Sequence, residues 1–487
     1  MKYLLSFDVG TTSMKGIVFD ENFNEIFYEN TEYDIETDSP NVAELDADTY
    51  YEAFCKCILS LNEKLAIGKE ISAVCFTTQG ETLIPVDADG NALTKAIVWL
   101  DSRADKEADF IKSKISLADM YKSTGLYDFD GALPIAKVLW IYNNMRHTYD
   151  STYKFLLLED YLILRLTGEM VSEKSLQSSS GWYDIINDCL FDTMFEICPV
   201  SKDKFPEILP SGSVVGNIKE DIAEKLGLSP DAVVVTGAMD QISSAIGAGN
   251  VKEGVISETT GTALVVGATV SVPKFNLDAP LTIYKHYNDK FIYMPYSSTA
   301  GIVLKWFRDT VMPDVIKKAE ERQTSSYKLI DEIAESSPAG SNGVIMNPDF
   351  TKGGFFYGLT LATKASDLAR SVLEGVAYLL KDLVSAVEIQ GVKVDEILSL
   401  GGGSYSSLWG EIKASVCNKK ISCVGYSQTT ALGAAMLSAV ALGLYTSVEE
   451  ATKAINTKSV EYQPKENDRA VYEECYLKYK ETIKIGG

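Results

Sequence analysis

Histidine is almost absent from this chain, since only His147 and His286 occur among its 487 residues. The chain therefore offers few histidines for Ser-His-Asp catalysis, for histidine phosphotransfer or for a histidine-rich metal site. The eight cysteines are scattered and form no CxxC pair, which argues against a zinc site and favours a reduced, cytoplasmic setting. If the protein is an enzyme, its general base is expected to be a carboxylate.

Net positive charge and long apolar segments are also lacking. The formal net charge is −23, which disfavours binding to nucleic acids or anionic membranes, because both are polyanions. The apolar run 431–444 is shorter than the roughly 18 residues that suggest a membrane span, and the amino terminus lacks the features of a signal peptide. The sequence predicts a soluble cytoplasmic protein with a small-molecule ligand, without nucleic acid or membrane partners.

Length and hydrophobic content favour two domains. A chain of this length with 46% hydrophobic residues is too long for one compact core. Short apolar strands such as 71–76 alternate with helical patterns such as 46–65, which indicates the α/β class. We place the boundary after residue 243, giving domains 1–243 and 244–487. A strand, polar turn and strand that begin at residue 255 resemble the start of the chain, so the two halves look related.

The first motif is Asp8-Val9-Gly10-Thr11-Thr12-Ser13, followed by Lys15. It offers an acid that can hold a metal ion, a glycine that lets the backbone approach a phosphate, hydroxyl donors and a cation. These groups suit phosphoryl transfer. The alternative for this motif alone is a hairpin turn with solvated threonine and serine side chains.

Two further glycine turns follow predicted strands. Thr260-Gly261-Thr262 and Gly401-Gly402-Gly403-Ser404 are each common as simple tight turns. The second opens a predicted helix over 406–417, whose amino-terminal amides can bind an anion. Rossmann GxGxxG and Walker A patterns are both missing. Three such turns in one α/β chain therefore indicate a nucleotide site of another kind.

Two longer motifs identify a family resemblance. Gly354-Phe355-Phe356-Tyr357-Gly358-Leu359, seven further residues and then Asp367 to Glu374 fit the carboxyl-terminal signature of the FGGY carbohydrate kinases. The amino-terminal signature around Pro134, Lys137 and Trp140 also fits, with a departure at Ala132. The chain resembles this family over nearly its whole length. The resemblance implies two ribonuclease-H-like (actin-like ATPase) domains with an ATP and substrate cleft between them.

The resemblance also implies roles for particular residues. Asp8 is expected to hold Mg²⁺, and Asp240 is expected to be the catalytic base that accepts the proton of the attacking hydroxyl. Without the resemblance, an aspartate at a strand end is better explained as a helix N-cap. The expected ATP-binding residues are Gly10, Thr11, Thr12, Lys15, Gly261, Thr262, Gly301, Gly402, Gly403 and Ser407.

Substrate recognition is expected in two segments and beside the base. The residues are Gln79, Gly80, Glu81, Trp99, Asp101, Asp240 and Gln241. Gly80-Glu81 keeps the acid of glycerol kinases without their arginine, and the Met-His of typical xylulokinases is replaced. Trp99 and Asp101 are closer to the pentulose-kinase pattern, which commonly has an aspartate two residues after the tryptophan. Trp99 is expected to pack on a carbon-hydrogen face of the acceptor, and plain core packing is the alternative for it.

The leading hypothesis for the activity is ATP-dependent conversion of D-xylulose to D-xylulose 5-phosphate. Glycerol, erythritol, another ketose and a sugar acid are the alternative substrates. A non-catalytic actin-like nucleotide-binding module is the alternative from another class, and a degenerate regulatory homologue is a third hypothesis. The sequence gives no signal for the oligomeric state, and a homodimer is expected only because homodimers are the commonest oligomers.

Overall fold

The computed structural model describes residues 2–455 and 459–485. The chain forms two compact units, and each unit is assembled from separate stretches of sequence. The first comprises Met1–Val251, Ser271–Ile292 and Gln428–Asn456, and the second comprises Lys252–Val270, Tyr293–Ser427 and Thr457–Gly487. The division expected from the sequence after residue 243 treats the two halves as consecutive, whereas the chain passes between the units several times.

Strands and helices alternate along most of the chain. The strands are Tyr3–Val9, Ser13–Phe19, Glu25–Glu32, Glu36–Ser39, Val42–Leu45, Ile71–Thr78, Leu83–Val86, Ala96–Ile97, Lys154–Leu157, Val171–Glu173, Tyr183–Asp184, Cys189–Leu190, Glu207–Leu209, Val214–Asn217, Val233–Val235, Val255–Thr260, Leu264–Val270, Ile283–Lys285, Phe291–Tyr293, Tyr296–Ser297, Ile345–Asn347, Phe355–Tyr357, Glu396–Leu400, Lys420–Cys423 and Val460–Tyr462. The α-helices are Ala47–Lys64, Asp105–Lys112, Leu117–Thr124, Pro134–Asn144, Arg146–Ser151, Leu158–Thr167, Lys174–Gln177, Asp192–Ile197, Glu220–Leu226, Asp240–Ala248, Gly301–Trp306, Asp314–Glu321, Ser326–Glu335, Ala365–Ile389, Ser407–Cys417, Thr429–Ala441, Val448–Ala454 and Glu466–Ile485. The α/β class expected from the sequence is confirmed.

Three parallel strands form the centre of the main sheet in the first unit. The order of its six strands is Val214–Asn217, Val233–Val235, Ile71–Thr78, Tyr3–Val9, Ser13–Phe19 and Glu25–Glu32. The strand Ile71–Thr78 runs parallel to both of its neighbours and is buried along nearly all of its length, as expected for a parallel strand covered on both faces. The carboxyl ends of the three strands therefore lie at one edge of the sheet.

A second, five-stranded sheet in the first unit carries the segments that were expected to recognise the substrate. Its order is Glu36–Ser39, Val42–Leu45, Ala96–Ile97, Leu83–Val86 and Lys154–Leu157. Leu83 pairs with Ile97, so the segments 79–82 and 98–101 adjoin paired strands. Two stretches almost twenty residues apart in sequence are thereby brought to the same place.

The second unit repeats the arrangement of the first. Its strand Val255–Thr260 pairs antiparallel with Leu264–Val270 and parallel with Glu396–Leu400. The strand Tyr3–Val9 has the same two kinds of neighbour in the first unit. The similarity of the two halves that was expected from the sequence is therefore present in the pairing of their strands.

The helix Thr429–Ala441, far along the chain, packs within the first unit against the helix Asp240–Ala248. A Cβ atom at Gly247 would lie 1.9 Å from a backbone carbonyl oxygen of the later helix, and one at Gly433 would lie 2.0 Å from a carbonyl oxygen of the earlier helix. These distances are too short for any side chain, so both glycines allow a close helix crossing. The helix that begins with Asp240 is therefore fixed by a segment almost two hundred residues away.

The helix Ala365–Ile389, which carries the carboxyl-terminal signature, anchors the loop before it. Asp367 accepts a hydrogen bond from the Ser337 hydroxyl at 2.6 Å. Glu374 is buried and accepts the Gly340 amide hydrogen at 3.0 Å. The acidic residues of this signature therefore hold backbone and side chains of the second unit in place.

Candidate functional site

The sequence motifs of the first unit meet at the carboxyl edge of its main sheet. Asp8 lies near the end of one parallel strand, and Gln79 directly follows the next. Met239 forms a parallel bridge with Thr78, which places Asp240 at the same edge. Polar side chains expected to act together are therefore brought together by strand pairing.

Asp8 and Lys15 form an ion pair across the first hairpin. They are directly opposite each other on antiparallel strands, and the Lys15 ammonium lies 3.0 Å from the Asp8 carboxylate. The turn between the strands is fixed by Tyr33, whose hydroxyl donates to the Gly10 carbonyl at 2.6 Å and whose amide donates to the Thr12 carbonyl at 3.0 Å. The turn expected to meet phosphate is thus held in a defined conformation.

A chain of hydrogen bonds links this turn to the two segments that were expected to recognise the substrate. The Trp99 indole N–H donates to the Thr11 hydroxyl oxygen at 2.9 Å. The same hydroxyl donates to the Gln79 side-chain oxygen, also at 2.9 Å. Trp99 is 38% exposed, so the alternative of plain core packing is not supported. The Trp99 ring therefore offers a partly exposed aromatic surface, and its indole N–H is hydrogen-bonded to the turn.

Asp240 occupies the first position of the helix Asp240–Ala248, with Met239 as the N-cap residue. Its carboxylate accepts the amide hydrogen of Gln241 at 2.6 Å. Burial, and then the nearby charge of Asp8, raise the pKa of Asp240 to about 7. The N-cap explanation for this aspartate therefore does not apply, and the carboxylate is suited to exchange a proton near neutral pH.

Glu81 and Lys137 form the second charged centre of the first unit. Glu81 has a φ of 65°, in the left-handed region that non-glycine residues seldom adopt. The buried Lys137 ammonium donates to the backbone carbonyls of Glu81 at 3.0 Å and Val98 at 2.9 Å. Burial raises the pKa of Glu81 to about 7, with Lys137 opposing and Asp240 among the charges that add to the rise. Lys137 thus connects the two segments that were expected to recognise the substrate. It also stabilises the unfavourable backbone conformation of Glu81.

Lys137 was named in the signature but not among the expected site residues. Lys137 lies in the helix Pro134–Asn144, where every residue from Pro134 to Leu139 is buried. The apolar run around this lysine was the signal in the sequence that it would be buried. A lysine inside an apolar helical run needs partners, because an unpaired buried ammonium is costly. Burial lowers the pKa of Lys137 to about 8.

Asp101 and Gly80 occupy more enclosed positions than the sequence indicated. Asp101 is fully buried, and its carboxylate accepts hydrogen bonds from the Arg103 guanidinium at 2.7 Å and the Ala43 amide at 2.7 Å. A Cβ atom at Gly80 would lie 3.0 Å from the Ser179 hydroxyl. This geometry favours an indirect role for Asp101, through Arg103, over direct contact with a substrate.

The second unit contains a cavity of about 780 Å³, a size that suits a nucleotide. All six residues of this unit that the sequence nominated for ATP binding line it: Gly261, Thr262, Gly301, Gly402, Gly403 and Ser407. Across from these turns, the helix Ser326–Glu335 contributes side chains that the sequence did not nominate: Tyr327, Lys328, Asp331, Glu332 and Glu335. Their helical spacing is visible in the sequence, but nothing in it indicates a ligand.

The glycine turns of the cavity are in close contact. A Cβ atom at Gly301 would lie 2.2 Å from the Gly261 carbonyl oxygen, and one at Gly403 would lie 2.9 Å from the Thr260 Cβ. The turn at Gly402 leads into the helix Ser407–Cys417, whose N-cap is Ser406. The glycine turns therefore pack against one another beside a helix amino terminus, an arrangement that favours phosphate.

A buried ion pair lies beneath these turns. The Lys413 ammonium is 2.6 Å from the Glu258 carboxylate, and both side chains are almost completely buried. Lys413 also donates to the Thr260 hydroxyl at 2.9 Å, and that hydroxyl donates to Glu258 at 2.6 Å. The pair thus connects the strand before one turn to the helix after another.

Two family models match consecutive stretches of the chain. The amino-terminal domain model of the FGGY family of carbohydrate kinases matches residues 3–247, and the carboxyl-terminal domain model matches residues 257–442. The chain is an FGGY carbohydrate kinase. It is therefore a phosphotransferase that uses ATP and an alcohol group of a small sugar-like acceptor, with the two-domain, actin-like ATPase fold of that family.

Individual relatives of this kinase differ in their acceptors. The gluconokinase of Bacillus subtilis (strain 168) is 25% identical over 468 residues, which cover 93% of this chain and 90% of the relative. The xylulose kinase of Lactococcus lactis subsp. lactis is 28% identical over 501 residues, covering 99% and 97%. A crystal structure of ligand-bound xylulose kinase from Lactobacillus acidophilus superposes with a TM-score of 0.89 at 26% identity, covering 100% of this chain and 98% of that one.

The residues of the kinase fit Mg²⁺ that is held partly by the nucleotide. Within residues 2–455 and 459–485, no group of three or more histidine, cysteine, aspartate or glutamate side chains is arranged to hold a metal ion. Magnesium in phosphoryl-transfer enzymes is commonly bound by one or two carboxylates together with phosphate oxygens and water. Asp8, at the open edge of the sheet, is a carboxylate of this kind.

Of the helices in the described part of the chain, none combines the length and the apolar character needed to cross a bilayer.

Replacing Gly301 with alanine is expected to raise the KM for ATP about tenfold, because the new methyl group would displace the Gly261 backbone. Steady-state kinetics with varied ATP measure the effect. Gly216→Ala is the control, since a Cβ atom there meets nothing within 4 Å. Equal KM values for ATP in the two variants would contradict a contact between the Gly261 turn and the nucleotide.

Proposed function

We propose that this kinase phosphorylates D-xylulose to D-xylulose 5-phosphate, with Asp240 as the general base. The observation that carries the proposal is the hydrogen-bonded connection from Trp99 through Thr11 to Gln79. This connection joins the exposed Trp99 ring to the turn at Thr11, which is of the phosphate-binding type. Both lie at the edge of the sheet where the helix that begins with Asp240 starts. A sugar acceptor and a phosphoryl group need these two features side by side.

In this proposal, Asp240 accepts the proton of the attacking hydroxyl as that oxygen bonds to the γ-phosphorus of ATP, and the bond between this phosphorus and the oxygen that leaves with ADP breaks. A carboxylate whose pKa is about 7 is partly ionised at neutral pH and can take a proton within hydrogen-bonding reach. Glu81 and Gln79 supply hydrogen-bonding groups for the other hydroxyls, and the Trp99 ring packs against the carbon-hydrogen face of the sugar. Gln241 lies in the first helical turn beside Asp240 and is proposed to orient the same acceptor.

The nucleotide roles are proposed on the same basis. The cavity of the second unit holds ATP, with Gly261, Thr262, Gly402 and Gly403 presenting backbone to its phosphates. In the first unit, Gly10, Thr11, Thr12 and Lys15 face the phosphoryl group that is transferred, and Asp8 holds Mg²⁺. The metal supplies positive charge that stabilises the transferring group when it is bound.

We favour a neutral acceptor over a sugar acid because the basic side chains near the expected substrate segments already have partners. Lys137 is engaged by two backbone carbonyls, and Arg103 is engaged by Asp101 and Glu44. A substrate carboxylate would have to displace one of these partners, and it would also meet the negative charges of the site. This argument favours a ketose or polyol over gluconate, although gluconokinases are among the relatives.

A coupled ADP-release assay across a panel of acceptors tests the substrate. The panel contains D-xylulose, other ketopentoses, deoxy sugars, erythritol, glycerol and gluconate. We expect kcat/KM for D-xylulose to exceed that for gluconate at least tenfold. Activity with glycerol and none with any pentulose would overturn the proposed substrate, and preference for gluconate would overturn the argument from charge. The cytoplasmic location and the homodimer stay predictions.

A further inference from the structure

The loop 237–240, which delivers Asp240, is pressed against the neighbouring strand. It connects the strand Val233–Val235 to the helix that begins with Asp240. A Cβ atom at Gly237 would lie only 1.7 Å from the Phe76 carbonyl oxygen. Only glycine fits there, so the position of the loop depends on close packing as well as on the hydrogen bonds of its own backbone.

One buried carboxylate binds the beginning of this loop. Glu159, on the helix Leu158–Thr167, is 1% exposed and accepts the Gly237 amide hydrogen at 2.7 Å. Its other carboxylate oxygen is buried and has no hydrogen-bond partner among the residues that the structure describes. The Gly237 amide hydrogen therefore has one defined acceptor in the protein interior.

A second buried carboxylate binds the end of the loop through a serine. Glu173, which is fully buried, accepts hydrogen bonds from the hydroxyls of Ser175 at 2.7 Å and Ser211 at 2.5 Å. It also accepts the Ser175 amide hydrogen at 2.7 Å and that of Leu176. The Ser175 hydroxyl oxygen in turn accepts the amide hydrogen of Met239 at 3.0 Å. Glu173 therefore orients a hydroxyl that holds the residue immediately before Asp240.

Two carboxyl groups buried close together are unfavourable for stability. Burial raises the pKa of Glu173, and burial together with the charge of Glu173 holds the pKa of Glu159 well above its usual range. Apolar residues of similar volume commonly give equal or greater stability than buried charged groups. The two acids instead provide directional hydrogen bonds to the loop that ends at Asp240.

We infer that Glu159, Glu173 and Ser175 are positioning residues that fix the 237–240 loop, and with it the orientation of Asp240 toward the acceptor. This inference rests on the proposed role of Asp240 as the base. None of the three residues needs to touch substrate or nucleotide. Their removal should therefore lower kcat while leaving the KM for the sugar and the affinity for ADP nearly unchanged.

Two serine variants separate positioning from general stabilisation. Ser175→Ala and Ser211→Ala each remove one hydroxyl that donates to Glu173, but only Ser175 also binds the Met239 amide. We expect Ser175→Ala to lower kcat about tenfold and Ser211→Ala to change it less than twofold. Activity is expressed per folded molecule, counted by ADP titration. Equal kcat values in the two variants, whether lowered or unchanged, would overturn the inference.

A second pair of variants tests Glu159. Glu159→Gln keeps an oxygen that can accept the Gly237 amide hydrogen, and Glu159→Ala does not. We expect the glutamine variant to retain kcat within about threefold and the alanine variant to lose at least tenfold. Loss of activity in the glutamine variant equal to that in the alanine variant would count against positioning through this hydrogen bond.

Failure of the inference can be told apart from failure of the proposed function. If Asp240→Asn retains turnover, the proposed base is wrong, whatever the serine variants do. If Asp240→Asn is inactive while Ser175→Ala and Ser211→Ala behave alike, only the positioning role is wrong.

Discussion

Asp240→Asn is expected to reduce kcat by about 10²–10⁴-fold, the range usual for loss of a general base. Asparagine keeps the size of the side chain and can still accept a hydrogen bond from the Gln241 amide, so the helix start should be preserved. ADP affinity, measured by titration calorimetry, should remain within twofold because the cavity proposed to hold the nucleotide lies in the second unit. Near-normal turnover in this variant would eliminate Asp240 as the base.

The pH dependence of the wild-type enzyme provides an independent test of the same residue. Burial and Asp8 raise the pKa of Asp240 to about 7, and Glu81 is the other acid that interacts with it. Because a base must be ionised to accept a proton, kcat/KM should rise as pH increases through about 7. The residual activity of Asp240→Asn should lack this rise. Asp231→Asn, at an exposed acid before the same strand, should retain both the rise and full turnover.

Lys413→Met is expected to destabilise the second unit by about 3–5 kcal/mol, the usual effect of removing one partner of a buried ion pair. The variant leaves the Glu258 carboxylate buried without its cation and releases the Thr260 hydroxyl from one of its hydrogen bonds. Urea denaturation measures the stability. ADP affinity should fall as well, since Thr260 directly precedes the Gly261 turn of the cavity.

The double variant Lys413→Met/Glu258→Gln tests the cause of that loss. Glutamine removes the uncompensated charge and can still accept hydrogen bonds from Thr260, so more than half of the lost stability should return. Lys465→Met is the control, because its ion pair with Glu411 is exposed and such pairs contribute little. A double variant no more stable than Lys413→Met would show that the isolated charge is not the cause.

Much of the secondary structure could be predicted because it follows local patterns. The strand expected over 71–76 forms as Ile71–Thr78, and the helix expected over 46–65 forms as Ala47–Lys64. The helix expected over 406–417 forms as Ser407–Cys417. Local propensity and tertiary structure agree in these segments.

The candidate site could be predicted where the residue types of a motif themselves indicate the kind of ligand that the motif binds. The turns at Gly261 and Gly402 line one cavity because each follows a parallel strand of the same sheet. Asp101 illustrates the limit of such reasoning. Its spacing from Trp99 pointed to substrate contact, but its buried hydrogen bonds to Arg103 and Ala43 depend on strand pairing that the spacing does not reveal.

Residues that act by supporting others were missed for the same physical reason. Glu173 lies 66 residues before Met239, and Glu258 lies 155 residues before Lys413. Each of these glutamates looks in sequence like an ordinary surface acid. Their burial is decided by long-range packing, so no periodicity or spacing within a short window could have identified them.

The packing of Thr429–Ala441 against Asp240–Ala248 bears on how the protein is made. A nascent chain emerging from the ribosome completes the first 251 residues long before the later helix is synthesised. Until then, the backbone of the later helix is missing from its place beside Gly247, and the contacts between the two helices cannot form. The first unit, which carries Asp240, is therefore complete only after residue 441 has been synthesised.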